Sequence, residues 1–162
     1  MKISKVVSNI PASPTLSLTA KVKKLKAEGK NVIGFGAGEP DFDTPDPIKS
    51  AAIEALRKGR TKYTPVEGMS ELKEAICASV HSDYGLKVTP ENVIVSCGAK
   101  HSLYNLFLTL FEAGDEVLCP SPYWVSYPPM IELTGAKAVA IDTRGNHMTL
   151  TADMVREAIT PR

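Results

Sequence analysis

The stretch N-V-I-V-S-C-G-A-K-H-S-L-Y-N-L-F-L-T-L-F, residues 92–111, reads as strand, tight turn and helix. Val93, Ile94 and Val95 form a short run of β-branched residues, whereas Leu103, Leu106, Phe107 and Leu110 recur at helical spacing. The turn, Ser96-Cys97-Gly98-Ala99, carries only small side chains, so its backbone can come close to a ligand. The first N–H groups of the following helix point outward with the positive end of its dipole behind them, which suits a phosphate. An ordinary strand-to-helix turn reads the same way, and such turns are common in α/β domains. It is not a Walker A loop: the earlier glycine of G-x-x-x-x-G-K-[ST] is missing, and His101 stands where Ser or Thr belongs.

Downstream, residues 116–119 and 137–142 read as two more short strands, separated by the rigid aromatic loop Pro120-Ser121-Pro122-Tyr123-Trp124 and a helix that Pro128 and Pro129 begin and Gly135 closes. Arg144-Gly145-Asn146 makes a turn, and a last helix starts at Thr151 or Asp153. Strand and helix alternate from Val93 onward, which predicts an α/β fold with a parallel sheet flanked by helices. Ligands of such sheets gather at the carboxyl ends of the strands. The Gly98–Lys100 turn and the loop with Trp124 both fall at that edge, bringing a phosphate site near the one tryptophan of the chain. The indole is either a platform for a flat aromatic ring or a core or interface residue.

Upstream, residues 1–15 read as an extended arm with two prolines, followed by a lysine-rich helix with Leu18, Val22 and Leu25 on its apolar stripe and Gly29 as its cap. The lysines are a solvated face. Residues 32–35 look like a short strand leading into Gly36-Ala37-Gly38. The glycines there superficially match a dinucleotide loop, but Pro40 and Pro45 prevent the helix that loop must open. Asp46 is expected to cap a helix that buries Ile48, Ala52, Ala55 and Leu56 and stops at Gly59. A further helix, residues 70–81, is expected to bury Leu72, Ile76 and Val80. Tyr63 lies in the polar loop between them, where its hydroxyl can reach a ligand or another subunit, or simply pack at the loop edge.

The 162 residues fit one domain-sized core, and 43% hydrophobic with 23% charged residues is ordinary globular composition. With 19 basic and 18 acidic side chains, the net charge of +1 gives no pull toward nucleic acid or an anionic membrane. No apolar run reaches membrane-spanning length, and no signal-peptide core follows the first residues. Cys77, Cys97 and Cys119 form no C-x-x-C pair, which suggests reduced thiols in a cytoplasmic protein. The three histidines lack metal-ligand spacing.

Four ordered motifs carry a resemblance: A-G-E-P-D-F-D-T-P at residues 37–45, K-Y-T-P-V-E-G-M-S-E-L-K-E-A-I at 62–76, C-G-A-K-H-S-L at 97–103, and P-S-P-Y-W-V-S-Y-P at 120–128. Together they resemble the aspartate aminotransferase family, the pyridoxal-phosphate enzymes of fold type I. The resemblance implies an amino-terminal arm and part of a small domain at 1–46, then the first part of a cofactor-binding large domain at 47–162. It implies pyridoxal 5′-phosphate as cofactor, with its phosphate on Gly98, Ala99 and Lys100 and its ring stacked on Trp124. Tyr63 would reach the phosphate of the neighbouring subunit's cofactor, which implies a homodimer with shared active sites. Gly38 would lie against the substrate carboxylate, with Trp124 beside the substrate. Thr15 and Ser17 match, more loosely, a segment that closes over bound substrate. Lys100 either adds charge near the phosphate or receives the distal carboxylate of a dicarboxylic amino acid.

The family's Schiff-base lysine and the other groups that complete its site have no counterpart up to Arg162. The resemblance therefore implies an amino-terminal piece of a longer protein, with no catalytic residue of its own and no activity alone. The expected activity of the whole is amino transfer between aspartate, or a similar amino acid, and a 2-oxo acid. Another pyridoxal-phosphate reaction, such as aromatic transamination or β-elimination, stays open, as does a non-catalytic module binding a phosphate ligand or a protein.

Overall fold

Two of the apolar runs pair. Strand β1 (Glu116–Ser121) lies parallel to β2 (Lys137–Asp142), with Glu116 opposite Lys137 and Ser121 opposite Asp142. A computed structural model describes residues 2–36 and 38–162; Met1, which opens the expected arm, and Ala37, which opens the A-G-E-P motif, lie outside the described residues. Residues group into two compact units, Met1–Ala37 with Gly98–Arg162, and Gly38–Cys97.

In the first unit, helix α5 (Ala99–Leu110) packs on α6 (Tyr127–Glu132), and α6 packs on both strands. The core is the cluster Cys119, Ile131 and Ala136, with Phe107, Phe111, Val117, Tyr127 and Ala138 around it. Burial pushes the Cys119 thiol above its ordinary pKa, so it serves as a small apolar side chain. Gly135 (φ +90) follows α6 as the sequence predicts. Helix α7 (Ala152–Ala158) packs on β2 and is capped by the Thr151 hydroxyl, which accepts from the Met154 amide. A parallel sheet flanked by helices is the expected α/β fold.

Several upstream expectations need correction. Residues 1–15 are not wholly extended: α1 (Lys5–Ser8) forms one turn, and α2 (Pro14–Ala27) already begins at Pro14, capped by the Ser13 hydroxyl. Residues 32–35 form no strand. They run alongside α2 instead, where a Cβ on Gly36 would come within 2.8 Å of Leu18 Cδ2 and one on Gly34 within 3.2 Å of Val22 Cγ1. The glycines thus permit close approach to a helix.

In the second unit, α3 (Asp46–Arg57) starts one residue earlier than expected. Pro45 is the cap, and Asp46, inside the first turn, pairs with Lys49 at 2.8 Å. Its apolar stripe is exposed at Ile48 and Leu56, and among the described residues no other element packs extensively on it. Helix α4 (Ser70–Tyr84) ends at Gly85 in left-handed conformation. Its most buried residue is Lys73, 8% exposed, while Leu72 is exposed.

Residues 93–95 also form no ladder strand. Their backbone is extended at Val93 (φ −119°, ψ 127°), and the Val95 amide donates to the Glu67 carbonyl at 2.9 Å. A single such bond docks the segment on the 65–69 turn without making a sheet. Helix α5, finally, stops at Leu110, with Phe111 already extended and packed against the core. Among the described residues, no helix is long and apolar enough to cross a membrane.

Candidate cofactor site

Gly98 sets the geometry of the α5 start. Its φ of 86° and ψ of 167° lie where side-chain-bearing residues are strained, and a Cβ there would meet nothing within 4 Å, so backbone conformation alone selects glycine. The first intrahelical bonds run from the His101 and Ser102 amides to the Gly98 carbonyl. The Ala99 and Lys100 amides precede them and stand at the positive end of a twelve-residue helix. No acidic residue lies in that first turn. An anion placed here would face two amide donors and the positive end of a helix dipole, with the Lys100 side chain nearby.

The second part of the site is the loop after β1. Trp124 is 42% exposed, and its indole is held edge-on by Tyr127, with centroids 5.5 Å apart and planes at 89°. The Tyr127 amide donates to the Trp124 carbonyl at 3.0 Å. The Lys100 Nζ stands 5.1 Å from the indole centroid, so the α5 start and the aromatic loop meet. Lys100 also borders a cavity of about 370 Å³ whose other walls include Pro11, Pro14, Val125, Pro129 and Leu133.

The sequence model of aminotransferase class I and II matches residues 30–162. The chain belongs to the class I and II aminotransferase family. Over its full length it is 50% identical to the aspartate aminotransferase of Geobacillus stearothermophilus, covering 42% of that protein. It is also 50% identical to the aspartate/prephenate aminotransferase of Nitrosomonas europaea, covering 41%. The structure of Thermus thermophilus aspartate aminotransferase with maleate superimposes with a TM-score of 0.96 at 42% identity, over 100% of this chain and 43% of that one. The chain thus spans about two-fifths of the length of these relatives.

Of the residues singled out in the sequence, the fold brings together Gly98, Ala99, Lys100 and Trp124. Gly38 and Tyr63 belong to the other unit: a Cβ on Gly38 would meet nothing within 4 Å, and Tyr63 is fully exposed. Thr15 and Ser17 sit in the first turns of α2, with the Ser17 hydroxyl donating to the Ser13 carbonyl at 3.2 Å. Two further residues, Tyr127 and Thr143, hold the loop that carries Trp124. Tyr127 braces the indole from below in sequence. Thr143, just past β2, donates to the Ser121 carbonyl at the entrance of the Trp124 loop. Tyr127 falls within the 120–128 motif, whereas the only local hint of Thr143 is its place one residue beyond a strand end.

Proposed function

We propose that the whole protein is a pyridoxal-phosphate-dependent aminotransferase that moves an amino group between aspartate, or a similar dicarboxylic amino acid, and a 2-oxo acid. The observation that carries this reading is the positive-φ Gly98 opening α5 with Lys100 set against Trp124. The names of the aspartate aminotransferase relatives support the substrate class. Bound pyridoxal phosphate supplies an electron sink for the bond broken at the amino acid's α-carbon.

The Ala99 and Lys100 amides would donate to the phosphate, with the α5 dipole and the Lys100 charge favouring it. Trp124 would stack on the ring, keeping one of its faces dry and its tilt fixed. Gly38 leaves room for the substrate carboxylate. Tyr63 would reach the phosphate of a second subunit, making the working unit a homodimer, and its full exposure within this chain agrees with that. The division into a first part at 1–46 and a large-domain part at 47–162 belongs to the same reading, as does a cytoplasmic setting.

Prephenate, named for the Nitrosomonas relative, would be a further acceptor, since it too is a 2-oxo acid with a distal carboxylate. The test is a half-reaction: whole protein loaded with pyridoxal phosphate is mixed with aspartate. The reading expects loss of the cofactor's visible band and one equivalent of oxaloacetate, with the band restored by 2-oxoglutarate. Ammonia release in place of amino transfer would make the protein a lyase instead.

A further inference from the structure

Thr143 is 3% exposed and lies one residue beyond β2. Both of its donors converge on one atom: its amide reaches the Ser121 carbonyl at 2.9 Å and its hydroxyl the same oxygen at 2.8 Å. Its own carbonyl accepts from the Asn146 and Met148 amides at 3.0 and 3.1 Å. Around it, Arg144 forks onto the Asp142 carboxylate, with Nε at 2.9 Å and Nη2 at 2.7 Å. His147 (φ 51°) and Met148 (φ 60°) follow as two successive non-glycine residues in left-handed conformation. Backbone of that kind persists only where its surroundings over-determine it, and such places cluster at functional sites. The knot ties the ends of two parallel strands at the sheet edge where ligands collect.

Ser121 is three residues from Trp124, and Pro122 between them has a fixed φ, so one of the few dihedrals through which an orientation imposed at the Ser121 carbonyl reaches Trp124 is locked. On the far side of Trp124, the Tyr127 amide and ring hold the residue's carbonyl and indole. We infer that Thr143 is a positioning residue: its hydroxyl on the Ser121 carbonyl fixes the entry of the loop that presents the Trp124 indole to a flat ring. For the ring's identity this rests on the proposed function; for the loop it does not.

Thr143→Val keeps the shape and the amide bond, leaves no polar atom stranded, and so folds while losing only the hydroxyl. Thr143→Ser keeps the hydroxyl. In the whole apoprotein, acrylamide quenching of Trp124, isolated as the difference from matched Trp124→Phe proteins, is expected to rise in Thr143→Val and to stay at the wild-type value in Thr143→Ser. For pyridoxal phosphate, Thr143→Val is expected to weaken binding about threefold to tenfold, the net worth of one hydrogen bond, with Thr143→Ser restoring it. On a Trp124→Ala background the same substitution should change binding by less than about twofold, because its effect travels through the indole.

Equal quenching in wild type and Thr143→Val, or an undiminished binding loss on the Trp124→Ala background, would overturn the inference. If pyridoxal phosphate binds none of the proteins, the proposed function fails, while quenching still decides the part played by Thr143.

Discussion

The Lys100 Nζ stands 5.1 Å from the centroid of the Trp124 indole. A contact of this kind contributes about 0.5–1 kcal/mol where solvent still reaches it. It ties the first turn of α5 to the loop after β1 and leaves the ammonium with donors to spare. An indole has two faces, so a lysine on one is compatible with a ring stacked on the other.

If Lys100 receives the distal carboxylate of acidic substrates, removing it costs one charge-assisted hydrogen bond, about 1.5–3 kcal/mol. Lys100→Ala in the whole protein is therefore expected to lower kcat/KM for aspartate by about tenfold to a hundredfold, and far less for an aromatic amino acid. Steady-state kinetics on both substrates check this. An equal fall would confine Lys100 to the cofactor phosphate.

A second prediction concerns the turn that docks on residues 93–95. A Cβ on Gly68, whose φ is +110°, would stand 2.6 Å from Val95 Cγ2 and 2.9 Å from its Cβ. Gly68→Ala meets both a left-handed backbone and a β-branched neighbour, and is expected to destabilise by at least about 1–3 kcal/mol. Urea unfolding should show a smaller cost on a Val95→Ala background, because the collision is relieved while the backbone strain remains. Equal costs on both backgrounds would mean that the turn shifts away from Val95.

The buried Lys73 makes a third. Its ammonium lies 3.8 Å from the Glu67 carboxylate, whose side chain is 52% exposed, so the ion pair contributes little. The packed aliphatic stem matters more. Lys73→Ala removes three buried methylenes and is expected to cost about 2 kcal/mol, whereas Lys73→Met should stay within about 1 kcal/mol of wild type. Matching losses in the unfolding midpoint for both would assign the stability to the charge.

Asp142 supplies a pH prediction. The side-chain bonds from Arg144, joined by the Arg144 amide, pull its carboxyl from the ordinary 3.8 down to about 2. A carboxylate depressed on folding stabilises the fold fully above the unfolded value near pH 4, and that contribution is lost as pH falls through about 2. Asp142→Asn is expected to flatten this part of the acid limb of stability against pH, with little change in slope above pH 5. An unchanged acid limb would mean that the Arg144 fork opens in solution.

The parts of this chain that could be read directly are those whose signal is local. Gly29 and Gly135 follow helices at the predicted places, Thr151 caps α7, and residues 137–142 form a strand as their β-branched and apolar alternation indicates, whereas α4 runs on past the expected end at residue 81 to the left-handed Gly85. The apolar runs at 32–35 and 93–95 misled because a strand needs a ladder partner, and neither finds one among the described residues. The stripe on α3 shows the same limit, since periodicity marks a face to be covered without saying what covers it. Within the candidate site, Gly98 and Lys100 were legible from the turn itself. Thr143 was not, because its hydrogen bond spans 22 residues and depends on the register of β1 against β2.

The most direct test of the account is a titration of the whole apoprotein with pyridoxal phosphate and with 5′-deoxypyridoxal, which has the same ring but no phosphate. If the Gly98–Lys100 turn holds the phosphate through two amides, a helix dipole and a lysine, the phosphate form should bind at least about a hundredfold more tightly. Equal affinity for the two ligands would contradict the assignment of the α5 start as the phosphate site.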